Sequence, residues 1–164
     1  MIQGSVTQSW QEQDYINLEF EKRIGGQYTH TGFNNLTSMP IDSSMISVEV
    51  CSNNLPSCFT DIAKHFKFKK FVVAVNKMNP GYVLPFHSDT YNRFRKNFDI
   101  AEDVEIHRII VFLHNPEPGH QLWIEDTMCN GSVGNYFGWT SSIEHMAANL
   151  GKVDRYTLQI TGTY

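Results

Sequence analysis

From residue 67 onward, apolar and polar positions alternate in short runs separated by turn formers. Period-two alternation of this kind predicts half-buried strands, here near residues 67–78, 81–88, 105–114, 120–126, 133–139 and 153–162. The breaks "MNPG", "NPEPG", "CNGS" and "NLGKVD" each supply Gly, Pro or Asn where a turn needs them. Before residue 55 the chain is polar and turn-rich, notably in "GGQYTHTGFNN" and "TSMPIDSS". Strand candidates there are "INLEFEKRI" and "MISVEVC". "SCFTDIAKHF" has apolar residues at helical spacing behind Ser57 or Thr60 as N-cap, which predicts a short helix. "TYNRFRKNFDIAEDV" is too long for a hairpin loop and is expected to be partly helical. Six or more short strands at this spacing give a mainly β fold, an antiparallel sandwich or barrel, with a few short helices outside.

Length and composition narrow the class. The chain has 164 residues, with eleven Phe, seven Tyr and three Trp. That is enough for one domain, 1–164, which buries its own core without a disulfide or structural metal. Within it, a variable N-terminal part spans about 1–60 and the strand-rich core about 67–162. The net charge of −4 argues against general binding to nucleic-acid backbone, while leaving room for a locally basic site. Cys51, Cys58 and Cys129 are odd in number and contain no C-x-x-C pair, as expected of reduced thiols in a cytoplasmic protein. The N-terminus lacks a basic start followed by an apolar run, so no secretory signal is read there. No stretch approaches ~18 apolar residues, so no membrane span is expected.

The chemistry enters at "PFHSDT". If "GYVLPFHSD" is a strand, Val83, Pro85, His87 and Asp89 share one face, and Tyr82, Leu84 and Phe86 the other. His87 and Asp89 then project together, either as a buried polar pair or as two ligands of a metal. His145 follows the Gly138-Trp139 strand end, and Arg155 and Thr157 come after it on the strand "RYTLQITG". There Arg155 and Thr157 face away from Tyr156, Leu158 and Ile160. A guanidinium among apolar strand residues is costly to bury unpaired and wants an anion. Two imidazoles and one carboxylate are the ligand set of a facial-triad iron(II) site, which leaves three coordination positions for a bidentate co-substrate and O2. His87, Asp89, His145 and Arg155 therefore form one coherent set.

In "PGYVLPFHSD", "HRIIVFLHNPEPGHQLWIED", "GSVGNYFGWTSSIEHMAANLG" and "DRYTLQITG", the chain resembles the non-haem iron(II)- and 2-oxoglutarate-dependent oxygenases. The likeness covers roughly residues 70–162, and its tenor is that of the aspartyl/asparaginyl hydroxylase-like and prolyl hydroxylase-like branches. The resemblance implies a double-stranded β-helix (a jelly roll, cupin-like), with His87, Asp89 and His145 on iron. It also implies Arg155, helped by Thr157, on the distal carboxylate of 2-oxoglutarate. The implied reaction hydroxylates an amino acid, a peptide side chain or another small substrate and releases succinate and CO2.

Further residues compete for roles. His107 and Arg108 open "HRIIVFL", and either is placed to meet the proximal carboxylate of the co-substrate; a strand-edge polar pair is the plainer reading. "HNPEPGH" brings His114, Glu117 and His120 around a turn that reads as a solvated loop. Trp123 and Trp139 read as strand packing, with lining of the substrate mouth the alternative. "YNRFRKNF" interleaves Arg93, Arg95 and Lys96 with aromatics, as a solvated helix face or a lid over an acidic or nucleotide-like substrate. His30 and His65 read as ordinary. Two other functions remain: a cupin-like metalloenzyme that does not use 2-oxoglutarate, and a non-catalytic jelly-roll binding module. The first usually carries H-x-H and a nearby Glu, both missing from "HSDTYNRF".

Overall fold

The computed structural model describes residues 1–24, 45–140 and 142–164. The turn-rich "GGQYTHTGFNN" and "TSMPIDSS", with His30, lie outside the described residues. Among the described residues, eleven strands and three short helices follow in chain order. These are β1 (Ile2–Ser5), α1 (Gln13–Ile16), β2 (Glu21–Ile24), β3 (Ser47–Cys51), α2 (Ser57–His65), β4 (Lys70–Met78) and β5 (Val83–His87). Then come α3 (Asn92–Phe98), β6 (His107–Phe112), β7 (His120–Ile124), β8 (Thr127–Met128), β9 (Asn135–Thr140), β10 (His145–Asn149) and β11 (Arg155–Thr163). Among the described residues no helix is long and apolar enough to cross a membrane.

The strands form two antiparallel sheets, one of seven strands in the order β1-β9-β6-β11-β4-β3-β2 and one of four in the order β5-β10-β7-β8. Together they make the rolled double sheet of a jelly roll. The N-terminal strands belong to it: β1 pairs with β9, and β3 pairs with β4.

β11 sits inside the larger sheet between β4 and β6, and its alternation separates two environments. Leu158 and Ile160, both fully buried, face outward. There they pack with Phe59, Ile62, Ala63 and Phe66 of the α2 segment and with Trp10 and Tyr15. Each such apolar side chain contributes about 1.5–3 kcal/mol by leaving water. Arg155, Thr157 and Gln159 face the other way, into the space between the sheets. A second apolar cluster, including Ile110, Phe112, Leu122, Ile124, Phe137 and Trp139, fills part of that space.

Gly138 on β9 points to the outer face, where an added Cβ would collide with the Ile109 side chain and crowd the Arg108 carbonyl. Only a bare backbone lets the Ile109 side chain of β6 lie across β9 there.

Two local expectations are corrected. The α2 N-cap is Pro56 rather than Ser57 or Thr60: its fixed φ turns the chain into the helix one residue earlier, with no side-chain cap. Strand β5 also departs from simple alternation. Between His145 and Ala147 the β10 register advances two residues while β5 advances three, from His87 to Leu84. The extra residue is a bulge at Pro85-Phe86, so Leu84 and His87 line the same cavity instead of facing apart.

Candidate metal centre

The end of β5 and the start of β10 lie side by side, with His87 directly opposite His145. Asp89 follows β5 by two residues and turns back toward both rings. Its Oδ1 is 4.0 Å from His87 Nε2, and its Oδ2 is 3.6 Å from His145 Nε2. The three donor atoms all lie within 4.8 Å of one another, a group able to hold a metal ion.

Backbone carbonyls fix the ring orientations. His87 Nδ1 is 2.7 Å from the Pro85 carbonyl, and His145 Nδ1 is 3.1 Å from the Ile143 carbonyl. A carbonyl only accepts, so each Nδ1 carries the proton and each Nε2 offers a lone pair to the cluster. Burial lowers the pKa of both rings, and that of His145 falls to about 4. Both are neutral at pH 7, the form that ligates a metal. For Asp89, burial pulls the pKa up, but Arg108 first, then His145 and His87, outweigh it and leave the carboxyl below its ordinary value.

Arg108 projects from β6 beside Asp89, with Nη2 3.0 Å from Oδ2. Its guanidinium lies over the Tyr91 ring, 5.0 Å from the centroid. Tyr91 has a left-handed backbone (φ 54°), uncommon for a bulky residue. On the far side of the cluster the Trp139 ring tilts against His145 at 4.3 Å between centroids.

All of these except Tyr91 line a cavity of about 340 Å³ between the sheets. Leu84, Ile110, Leu122 and Ala147 form apolar wall, and Asn76 and Gln159 pair with each other at 3.0 Å. Arg155 enters the same cavity at 6% exposure. Its Nη1 reaches only the Met78 sulfur at 3.5 Å, its Nη2 has no partner, and no carboxylate of the described residues pairs with it. Desolvation lowers its pKa to about 10, and the Cys129 thiol offsets only part of that. A guanidinium buried in this condition is costly to the fold unless an anion meets it. Thr157, almost fully buried, stands beside it on the same face of β11.

The structure thus brings His87, Asp89, His145, Arg108, Arg155 and Thr157 around one cavity. It separates the others. His107 lies on the opposite face of β6 and stacks with Phe68 at 5.8 Å, which removes it from any co-substrate contact. "HNPEPGH" is not a solvated loop at its ends. His120 Nε2 donates to the Val153 carbonyl and Nδ1 accepts the Glu117 N–H, while His114 Nε2 accepts the Tyr156 N–H. Both rings are taken up by backbone groups, His114 by β11 and His120 by the loop that precedes it. Arg95 turns inward on its own loop, donating to the Ala101 and Val104 carbonyls. Arg93 and Lys96 are exposed. Trp123 is outside the cavity lining, bonded to Gln121.

Sequence reasoning missed Asn76, Gln159 and Arg23 as cavity residues. Gln159 was within reach, because it continues the alternation of Arg155 and Thr157 on β11. Arg23 reaches the cavity from β2, and its position depends on the β2–β3 pairing, which no local pattern states.

No protein-family model matches the sequence, and no curated relative does. Solved structures share the fold at low identity. A Pseudomonas putida prolyl-4-hydroxylase is 14% identical, with a TM-score of 0.54 over 71% of this chain and 71% of that one. A 2OG-Fe(II) oxygenase family oxidoreductase from Burkholderia pseudomallei is 11% identical, with a TM-score of 0.50 over 72% of this chain and 67% of that one. An RmlC-like cupin protein from Desulfovibrio desulfuricans is 16% identical, with a TM-score of 0.42 over 77% of this chain and 91% of that one. At these identities the first two likenesses bear on the fold alone, and they agree with the jelly roll seen in the strand order.

Proposed function

We propose that the protein is an iron(II)- and 2-oxoglutarate-dependent oxygenase that hydroxylates an amino acid, a peptide side chain or another small substrate. One observation carries this reading: two imidazole nitrogens and a carboxylate converge in the same cavity as a buried guanidinium that pairs with no carboxylate of the described residues. The donor set suits iron(II), and the orphaned Arg155 suits a dicarboxylate co-substrate. Iron(II), when bound, supplies Lewis-acid docking for a 2-oxo acid and a route for dioxygen to oxidise an unactivated C–H bond.

The chain's own residues do the rest. His87, Asp89 and His145 hold the ion. Arg155 takes the distal carboxylate of 2-oxoglutarate, and the Thr157 hydroxyl adds a hydrogen bond. Leu84, Ile110, Leu122 and Ala147 keep water from the reacting end, which limits uncoupled turnover. Arg108 is engaged by Asp89, which counts against its serving the proximal carboxylate.

The test is succinate formation with iron(II), ascorbate and 2-oxoglutarate across amino acids, peptides and nucleotides. Substrate-dependent succinate that disappears in Asp89→Ala supports the reading. Failure to bind 2-oxoglutarate with iron(II) under nitrogen ends it and favours a metalloenzyme or binding module of the same fold.

A further inference from the structure

Among the contacts of the three candidate ligands, the Arg108 guanidinium stands out, because it is neither a ligand nor solvent-facing. It is itself half-buried on β6, between Ile109 and His107 of the outer face, and it lines the cavity beside Asp89. Nη2 sits 3.0 Å from Oδ2, a close ion pair away from bulk water. From below, the Tyr91 ring supports the guanidinium at 5.0 Å. Tyr91 is held there by the left-handed turn that opens α3, and it packs with Phe94 and Ile106 in a small buried cluster.

Asp89 needs such a partner. The two histidines are anchored through Nδ1 to backbone carbonyls two residues before them, whereas Asp89 lies past the end of β5, where no ladder holds the backbone. Without a second contact its carboxylate would be free to turn about χ1 and χ2. The β6 strand is hydrogen-bonded on both sides, to β9 and β11, so Arg108 projects from the rigid middle of the larger sheet.

Resting on the proposed metal site, we infer that Arg108, stacked on Tyr91, is a positioning residue: it fixes the Asp89 carboxylate toward His87 and His145 and so sets the affinity for the divalent cation. It does not bind the 2-oxo acid. Arg155 and Arg108 therefore divide the labour of the cavity, one for the co-substrate and one for the ion.

The experiment crosses two arginines with two ligands in the full chain. Mn(II) serves as the metal probe, because the electron paramagnetic resonance signal of the free aqua ion is lost on binding and no turnover is needed. Arg108→Met, similar in length and uncharged, raises the Mn(II) Kd about 10–100-fold, the usual effect of losing a partner of a metal ligand. Arg108→Lys restores part of that affinity, since it keeps the charge but loses the fork. Arg155→Met leaves the Mn(II) Kd within about two-fold. At saturating iron(II), the KM for 2-oxoglutarate rises in Arg155→Met and stays within about two-fold in Arg108→Lys. Circular dichroism confirms that each variant is folded, and Arg108→Lys keeps the test alive if Arg108→Met is not. Equal Mn(II) affinity in wild type and both Arg108 variants overturns the inference while leaving the metal site standing. Absence of Mn(II) and iron(II) binding by the wild type overturns both together.

Discussion

Replacing Arg155 by Met makes a two-sided prediction, because the same residue is costly to the empty fold and useful to the loaded one. Burial lowers the guanidinium pKa from 12.5 to about 10. At ~1.4 kcal/mol per pH unit, holding the charge inside the protein costs on the order of 3 kcal/mol. The group is protonated in both folded and unfolded chains at neutral pH, so the penalty is fully present below about pH 10 and is relieved only between there and 12.5. Methionine fills similar volume with no charge, losing the weak contact to the Met78 sulfur. The net expectation is a gain of about 2 kcal/mol in the ligand-free protein, or roughly 4–8 °C in Tm for a chain of this size. Addition of 2-oxoglutarate with Mn(II) raises the wild-type Tm, as any ligand selective for the folded state does. The variant should lose the part due to 2-oxoglutarate, since a charged hydrogen bond is worth ~1.5–3 kcal/mol. Differential scanning calorimetry reads both effects. A variant that melts below wild type would refute the burial argument, and one that keeps the 2-oxoglutarate shift would remove Arg155 from the anion site.

Two further outcomes can be checked by chemical denaturation. The His145 pKa falls from 6.5 unfolded to about 4 folded, so its neutral form is favoured by folding. This contributes no pH dependence above 6.5 and a loss of stability, on the order of 3 kcal/mol, as pH falls from 6.5 to 4. Urea unfolding of His145→Gln at pH 7.5 and 5 should therefore show a flatter acid limb, and an unchanged slope would contradict it. Trp10 is fully buried and donates from Nε1 to the Leu113 carbonyl at 2.8 Å. Trp10→Phe should cost about 2–4 kcal/mol by chemical denaturation while Mn(II) affinity stays unchanged, because Trp10 packs on the outer face of the sheet, away from the cavity.

Much of this site was legible because strand periodicity is local. The alternation along residues 155–160 already divides Arg155 and Thr157 from Leu158 and Ile160, and the structure places those two pairs in cavity and core respectively. β10 was not legible. "HMAAN" has poor strand propensity, and it is extended because β5 and β7 pair with it on both sides. The loop "HNPEPGH" has the composition of a solvated turn, yet its histidines are consumed by backbone groups of residues 153 and 156. Those partners are distant in sequence, and composition carries no trace of them. Arg108 was read as a neighbour of His107, whereas the pleat sends the two to opposite faces. Its real partner, Asp89, is set by how β5 and α3 fold across β6.

The bulge in β5 decides more than register, and a single deletion can isolate its effect. In a regular antiparallel strand, carbonyls lie in the plane of the sheet and side chains stand out of it. A ring on such a strand is badly placed to donate to the carbonyl two residues before it. Here the extra residue at Pro85-Phe86 kinks the chain, and the Pro85 carbonyl meets His87 Nδ1 at 2.7 Å. Proline suits this place because it has no N–H to offer a ladder. Deleting the exposed Phe86 leaves Leu84, Pro85 and His87 in plain alternation, so His87 still faces the cavity and the fold survives. What is lost is the carbonyl that fixes the ring and its tautomer. Mn(II) affinity should fall about 10–100-fold in the deletion. Phe86→Ala keeps the bulge and removes only an exposed ring, so its stability should stay within about 0.5 kcal/mol and its affinity at the wild-type value. Equal Mn(II) binding by the deletion and by Phe86→Ala would mean that the kink only accommodates Pro85 and does nothing for the imidazole.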